Sequence, residues 1–362
     1  MKKRIGVITN ASAISGVGSR AYELAAHIPP QNDIGVTVVD IMGVKKLTSL
    51  PGILGSKSIS WIRLASHLPE FDIYDLSNQT LSFIAKRRKP SIVTVHDIIE
   101  LTDPQDTRAR LLNRYLLSGI PRADRIIAVS EYTKQQIIEY VHLSPDNITV
   151  IPNGVGTGYI PIPGFSSTLA YQQLLQDYGI SSRQPIILHV GSEHPRKNME
   201  TVLRTVALLK EHYPDILLLK VGEPGLREGR QKTLEYIDRF NLRQNIKFLV
   251  TIPQERMNEL YNTANALLFP STHEGFGLPP LEAMAAGCPA ICSNATSLPE
   301  IVGDGAIMHD PHDAKAYAKS VVHVLQDPLF RADLISRGIA RASMFSWDTS
   351  ARAMLNVYRE LL

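Results

Sequence analysis

Short apolar runs alternate with amphipathic stretches along this chain, and the alternation occurs twice. In the first half the runs "RIGVIT", "IGVTVVDIM", "DIYDLS", "SIVTVHDII" and "RIIAVS" are separated by helix-like segments such as "SRAYELAAHI", "RARLLNRYLLSGI" and "EYTKQQIIEYV". Continuous apolar runs suit strands buried on both faces, and strands alternating with helices predict a parallel sheet covered on both sides. The stretch "ITVIPNGVGTGYIPIPGFSS" breaks the rhythm with Pro152, Pro161 and Pro163 and with glycines at 154, 156, 158 and 164, a linker composition. The second half restarts the grammar with the strand-like runs "QPIILHVG", "DILLLKVG", "NIKFLV", "NALLFPS" and "PAICSN", and with the helix-like "METVLRTVALLKEHY". The fold class expected is α/β, with two doubly wound domains, the first over residues 1–160 and the second over 161–346. The final "FSWDTSARAMLNVYRELL" predicts an amphipathic helix over 347–362 with Ala351, Met354, Leu355, Tyr358, Leu361 and Leu362 as its apolar stripe.

Composition adds limits. At 362 residues the chain exceeds one ordinary core, in keeping with two domains. Hydrophobic residues at 44% and charged residues at 20% match a soluble globular protein. The 38 basic and 35 acidic side chains leave a formal +3, too small to point to nucleic acid, and no such partner is expected. No run approaches the roughly 18 apolar residues of a membrane span. The apolar part behind "MKKR", Ile5 to Ile8, is too short for a secretory h-region, so a cytoplasmic location is expected. Cys288 and Cys292 would lie about 13 Å apart on a strand, too far for a disulfide. Both are expected to be buried free thiols.

Ligands of doubly wound sheets bind beyond the carboxyl ends of the strands. The residues able to carry chemistry stand there: Gly16 and Gly18, His96 and Asp97, Gly191 to Lys197 with Ser192 among them, and Glu274 to Gly277. The densest stretch is "STHEGFGLPPLEAMAAGCPAI", Ser271 to Ile291. A strand ends, a glycine-bearing loop follows, and a helix can start at Pro279 or Pro280, because proline suits a first helical turn. Gly287 suits its end. Glu282 then falls in the first turn and Glu274 in the loop before it. The amides of Gly275, Phe276, Gly277 and Leu278, with the unpaired N–H groups of the helix start, form an anion site that glycine lets a phosphate approach. Two carboxylates beside a phosphate must hold something else, and sugar hydroxyls fit. Hydroxyls on both sides of a phosphate group are the layout of a nucleotide-sugar. Taken singly, Glu282 reads as an acid favoured near a helix N-terminus. The whole string carries the ligand reading.

Together, "SGVGSRAYELA", "VTVHDII", "ADRIIAVSEYTK", "VIPNGV", "VGSEHPRKNM", "LYNTANALLFPSTHEGFGLPPLEAMAAGCPAI" and "SLPEIVGD" resemble the family 4 retaining glycosyltransferases of the GT-B fold. These stretches cover nearly the whole chain. The resemblance implies two Rossmann-like domains facing across a cleft, the first binding the acceptor and the second the donor, and a C-terminal helix that crosses back to the first. It implies that Glu274, with the amides of Gly275 to Gly277, holds the donor sugar, that Glu282 holds the ribose, and that Arg196 and Lys197 clamp the diphosphate. Fixed cations there suit a departing diphosphate whose charge grows. It also places His96 near the reacting centre, Asp97 behind it, and Gly16 and Gly18 by the phosphates and acceptor. Ser192 and His194 stand where many relatives carry Thr and Glu. Val250 to Pro253, Ile252 included, are expected to line the base pocket, although a glycine is common where Val250 stands.

The expected activity is transfer of a hexose, with retention, from a nucleoside-diphosphate sugar to the hydroxyl of a glycan or lipid-linked acceptor. GDP-mannose is the donor expected, ahead of UDP-glucose and UDP-N-acetylglucosamine. No Asp-x-Asp occurs, and neither a metal nor another cofactor is expected. The cluster Lys86, Arg87, Arg88 and Lys89 reads as a solvated helix end or as a contact with anionic headgroups at the inner face of a membrane. Nothing in the sequence indicates an oligomeric state. A non-catalytic sugar-nucleotide-binding subunit is the rival, but His96, Lys197 and both motif glutamates are present. A dinucleotide-dependent oxidoreductase needs a GxGxxG that "GVGSRA" lacks.

Overall fold

The structure, a computed structural model, describes residues 2–11, 16–41, 68–102, 107–181, 184–225, 227–250 and 252–362. The loop ahead of Gly16 and Thr251 of the expected base pocket lie outside the described residues. The chain divides into two units, Met1–Gly154 with Ser346–Leu362, and Val155–Phe345. The division falls after Gly154 rather than after residue 160. Residues beyond it are tied to the second unit by backbone groups: Val155 N donates to Phe345 O at 3.0 Å, and Ile162 N to Asn262 Oδ1 at 2.7 Å.

Among the described residues the first unit holds β1 (Lys3–Thr9), β2 (Ile34–Asp40), β3 (Ile73–Leu76), β4 (Ser91–Val95), β5 (Arg125–Ala128) and β6 (Ile148–Val150). All pair in parallel, in the order β2-β1-β3-β4-β5-β6. β3 and β4 are buried at every position, Asp75 of β3 and Ser91 and Thr94 of β4 included. β6 is a strand that the linker reading passed over. Its "ITV" is β-branched throughout and pairs Ile126 with Ile148, and proline enters only at Pro152.

One face of this sheet packs Ile8, Leu76, Val93 and Ile126 against Leu81, Phe83 and Ile137. The other packs Ile5, Ile73, Ile92 and Ile127 against the C-terminal helix Trp347–Leu361 through Trp347, Ala351, Met354, Leu355, Val357 and Tyr358. That helix lies so close that a Cβ on Gly154 would sit 2.2 Å from the Trp347 nitrogen. Val357 joins the buried stripe, whereas Leu362, expected in it, is exposed.

The second unit repeats the plan with β7 (Ile186–Val190), β8 (Leu217–Val221), β9 (Ile246–Leu249), β10 (Ala266–Phe269), β11 (Ala290–Ser293) and β12 (Ile307–His309), in the order β12-β11-β10-β7-β8-β9. β12 is a further short strand that the apolar pattern did not announce. Helices Met199–Lys210 and Ala314–Gln326 cover one face, with Val202, Val206, Leu209, Tyr317 and Val321 in the core. Cys288 and Cys292 are buried free thiols, as expected. In each sheet the chain reverses its direction of travel once, between β1 and β3 and between β7 and β10. Such switch points open a crevice at the strand ends.

Candidate functional site

The second switch point gathers the charged residues. β7 runs into a loop and a short turn of helix, Pro195–Lys197, and β10 runs into the glycine loop. Lys197 Nζ donates to Glu274 Oε1 at 2.5 Å, and Arg196 Nη1 donates to Glu274 Oε2 at 3.1 Å. Arg196 also donates to the His273 carbonyl at 3.1 Å, while Thr272 N donates to the Arg196 carbonyl at 2.8 Å. The two loops are therefore joined by both backbone and charge. Lys197 Nζ lies 4.9 Å above the Phe269 ring. Burial by itself pushes the Glu274 carboxyl up, but the charges of Lys197 and Arg196 outweigh it and hold it below the ordinary carboxylate range. Glu274 stays ionised.

The glycines have particular work here. Gly191, at φ 153°, leaves room for the Lys197 stem, which a Cβ would meet at 3.4 Å. Gly277, at φ 107°, caps the helix Leu278–Ala285 in the left-handed region, and a Cβ would meet Leu298 at 2.5 Å. Ser297 Oγ donates to the carbonyls of Glu274 and Phe276 at 2.9 and 3.1 Å, and Thr296 Oγ1 accepts from Glu274 N at 3.0 Å. Phe276 packs its ring on Phe345. The loop from Glu274 to Phe276 is thus held by the protein's own hydrogen bonds and packing.

Glu282 differs from its expected place. The helix starts at Leu278, ahead of both prolines, so Glu282 stands beyond the first turn, which holds no acid. Its Oε2 accepts from Tyr261 Oη at 2.8 Å. Burial raises its pKa, against the hydrogen bonds of Tyr261 and Tyr159. A helix-capping role is excluded by this position.

Ser192 is half-buried on the β7 loop. Val250 and Ile252 follow the edge strand β9, two strands from β7, and Val250 is 45% exposed. In the first unit His96 follows β4. His96 Nε2 lies 3.0 Å from the Ser77 carbonyl, which can only accept, so Nε2 carries the proton and Nδ1 is an acceptor. Burial, then the nearby Arg20 charge, lowers its pKa to about 4, so the imidazole is neutral at pH 7. Asp97 Oδ1 accepts from Ile99 N at 3.3 Å, capping the helix Ile99–Thr102. Gly16 begins the helix Gly16–His27, and Gly18 is buried within it.

The comparisons with known proteins agree with this geometry. The family model "Glycosyl transferases group 1" matches residues 171–341, and "Glycosyltransferase Family 4" matches residues 14–159. The O-antigen chain mannosyltransferase B of Escherichia coli is 32% identical over 287 residues, covering 77% of this chain and 72% of that protein. The chain belongs to the family 4 glycosyltransferases.

It is a hexosyltransferase by that membership. The serotype-specific mannosyltransferase WbdA of Escherichia coli is 31% identical over 281 residues, which span 75% of this glycosyltransferase and only 34% of WbdA. Among solved structures, Anabaena Alr3699/HepE in complex with UDP-glucose superposes with a TM-score of 0.79 at 21% identity, over 99% of this chain and 100% of that one. That likeness shows the GT-B fold.

Sequence reasoning missed several residues of this glycosyltransferase that the switch points bury. In the second unit, Glu193 lies under the β7 loop with Lys220 and Arg230. In the first, Arg20, Asp75 and Tyr358 meet beneath His96's surroundings. Glu193 was read as part of a loop, Lys220 and Asp75 as parts of strands, Arg20 and Tyr358 as parts of helices, and Arg230 was not singled out. The signal available was a charge inside an otherwise apolar run: Lys220 in "ILLLKVG" and Asp75 in "DIYDLS".

Proposed function

We propose that this glycosyltransferase moves mannose from GDP-mannose to a hydroxyl of a glycan or lipid-linked acceptor in surface-glycan synthesis, with retention of configuration. The observation that carries the reading is the three-way pairing of Lys197 and Arg196 with the ionised Glu274 at the second switch point. Glu274 pairs with both cations. A donor diphosphate offers them a stronger anion and releases Glu274 to accept hydrogen bonds from the sugar. The two cations then face the oxygen on which charge grows as the sugar–oxygen bond breaks. In the family's mechanism the acceptor hydroxyl attacks from the face the diphosphate leaves, and the leaving phosphate takes its proton. His96, neutral, is proposed from the resemblance as a hydrogen-bond partner of the sugar, with Asp97 behind it. Mannose is supported by the mannosyltransferase relatives.

Glu282 is proposed to hold the ribose, with Tyr261 setting its carboxylate. No metal is invoked, because fixed cations supply the charge. A non-catalytic subunit is not favoured, since the residues it could lose are in place. The test is a screen of GDP-mannose, UDP-glucose and UDP-N-acetylglucosamine for slow hydrolysis and thermal stabilisation, with and without EDTA. GDP-mannose is expected to lead in both. A lead by UDP-glucose would reassign the base and sugar, and activity that needs added Mg²⁺ would contradict the metal-free reading.

Peripheral membrane contact is proposed at the first unit. Lys86 and Arg87 are exposed, whereas Lys89 is committed to Asp124 at 2.9 Å and Arg88 lies over Tyr74. Beside them, on the helix Thr107–Leu117, Leu111 is 66% and Tyr115 44% exposed, and Lys86 Nζ sits 5.2 Å above the Tyr115 ring. Basic groups around exposed apolar ones suit an anionic bilayer surface, each cation adding about 1 kcal/mol. Co-sedimentation with vesicles containing anionic lipid is expected for the parent and not for Lys86→Glu/Arg87→Glu. Equal binding by both would remove this contact.

A further inference from the structure

The loop that carries Arg196 and Lys197 is fastened a second time, from below. Glu193 is 3% exposed. Its carboxylate accepts from Arg230 Nε at 2.7 Å and Nη2 at 2.6 Å, a bidentate pair, and lies 3.1 Å from Lys220 Nζ. Lys220, on β8 and fully buried, also donates to the carbonyls of Gly222 at 2.7 Å and Glu223 at 3.3 Å. All three protons of its ammonium are thereby used. The backbone repeats the attachment: Gly191 N donates to Val221 O at 2.9 Å, and Glu193 N to Pro224 O at 3.1 Å. The helix Arg227–Arg239 presses so closely that a Cβ on Gly229 would lie 2.1 Å from the Glu193 carbonyl oxygen. Arg230 Cζ covers the Phe248 ring at 4.1 Å.

Burying such charges is costly, and apolar side chains of similar size commonly hold a fold as well. What a bidentate carboxylate and a fully used ammonium add is fixed direction. Lys197 stands four positions beyond Glu193 on the same loop, and Gly191 at the loop's start leaves room for the Lys197 stem, which a Cβ there would meet at 3.4 Å. We infer that Glu193, with Lys220 and Arg230, is a positioning cluster that presets the loop from Gly191 to Lys197, so that the Lys197 ammonium is already aimed at the departing diphosphate. The inference rests on the donor-site reading above. Arg230 and Lys220 are joined to the loop through the Glu193 carboxylate.

The experiment replaces the buried pair, Glu193→Met/Lys220→Met, and measures melting, calorimetric GDP affinity, and turnover at saturating GDP-mannose. Cooperative melting near the parent and little-changed affinity are expected. Turnover is expected to fall about 10-fold or more, toward the ~10²-fold that a 1 Å misplacement costs. Parental turnover in a folded double variant would overturn the inference, since the cluster would then serve folding alone. Should that variant not fold, Arg230→Met decides, because Arg230 is only half-buried and its loss removes one arm. The same fall in turnover without loss of affinity is expected, with partial recovery in Arg230→Lys; unchanged turnover overturns the inference. Lys197→Ala in the same assay separates the two failures. If it too leaves turnover intact, the donor-site reading itself is wrong; if it lowers turnover while the Glu193 and Arg230 variants do not, only the positioning role is wrong.

Discussion

The two sheets share one plan but fill their switch points with opposite electrostatics. At the β7–β10 crossover every charge meets a partner: Glu274 with Lys197 and Arg196, Glu193 with Lys220 and Arg230. At the β1–β3 crossover the charges are buried and only partly bonded. Arg20 Nη1 donates to Asn153 Oδ1 at 2.6 Å and to Pro152 O at 3.2 Å, yet among the described residues its Nε and Nη2 have no hydrogen-bond partner, nor do Asp75 Oδ1, Ser77 Oγ and Asn10 Oδ1. The carboxyls record the difference. Glu274 is held below its ordinary range in spite of burial, whereas burial carries Asp75 up to about 6 and Arg20 down to about 10. Burial alone therefore does not set the charge state: it outweighs Tyr358 and Arg20 at Asp75 and is outweighed by Lys197 and Arg196 at Glu274. The charges of the paired crossover hold one another in place, whereas in the first unit several buried polar atoms have no hydrogen-bond partner among the described residues.

The sharpest way to break this comparison is to remove the shared carboxylate. Glu274→Ala leaves two cations unopposed, and breaking a buried pair costs about 3–5 kcal/mol. Urea denaturation should show that loss, and hexosyl transfer should disappear with it. Stability equal to the parent's would mean that the pairing contributes nothing to the fold.

Next in size is the response to acid. His96 and His189 both have pKa values lowered by burial to about 4. The unfolded chain binds these protons near pH 6.5 and the folded one only near 4. Stability is thus complete above pH 6.5 and falls as pH drops toward 4, by about 3 kcal/mol for each histidine. Denaturation series from pH 7 to 4 should be shallower in His96→Gln and in His189→Gln than in the parent. Slopes identical to the parent's would place these imidazoles in solvent-like surroundings.

A smaller effect is expected where the C-terminal helix meets the first sheet. Tyr358 Oη donates to Asp75 Oδ2 at 2.6 Å, and among the described residues Asp75 Oδ1 has no hydrogen-bond partner. Tyr358→Phe should cost about 1–3 kcal/mol, the penalty for a buried acceptor left unsatisfied. A melting temperature unchanged at pH 7 would show that Asp75 finds another donor.

The paired crossover was the legible one. Arg196, Lys197 and Glu274 stand on the loops that follow apolar strands, with glycines at 191, 275 and 277 around them. The doubly wound plan was equally readable, because unbroken apolar runs such as "IILHV" and "SIVTV" leave few alternatives. What escaped reading were β6 and β12, each three residues long and so below the length at which an apolar run is distinctive. Glu282 was displaced because Leu278, not a proline, opens its helix. Buried charges escaped for a different reason. Lys220 and Asp75 differ from solvated ones only by tertiary partners, Glu193 and Tyr358, that are distant in sequence.

The central claim is that Lys197 acts on the departing diphosphate rather than merely holding the donor. An interaction stronger in the transition state than in the ground state raises turnover, whereas uniform binding lowers only the Michaelis constant. The direct measurement is turnover of Lys197→Ala at saturating donor beside its calorimetric affinity for GDP, on protein that still melts cooperatively. Turnover should fall by about 10²–10³-fold, as on losing one preorganised donor, with a smaller loss of affinity and partial recovery in Lys197→Arg. Preserved turnover with weakened affinity alone would contradict the account.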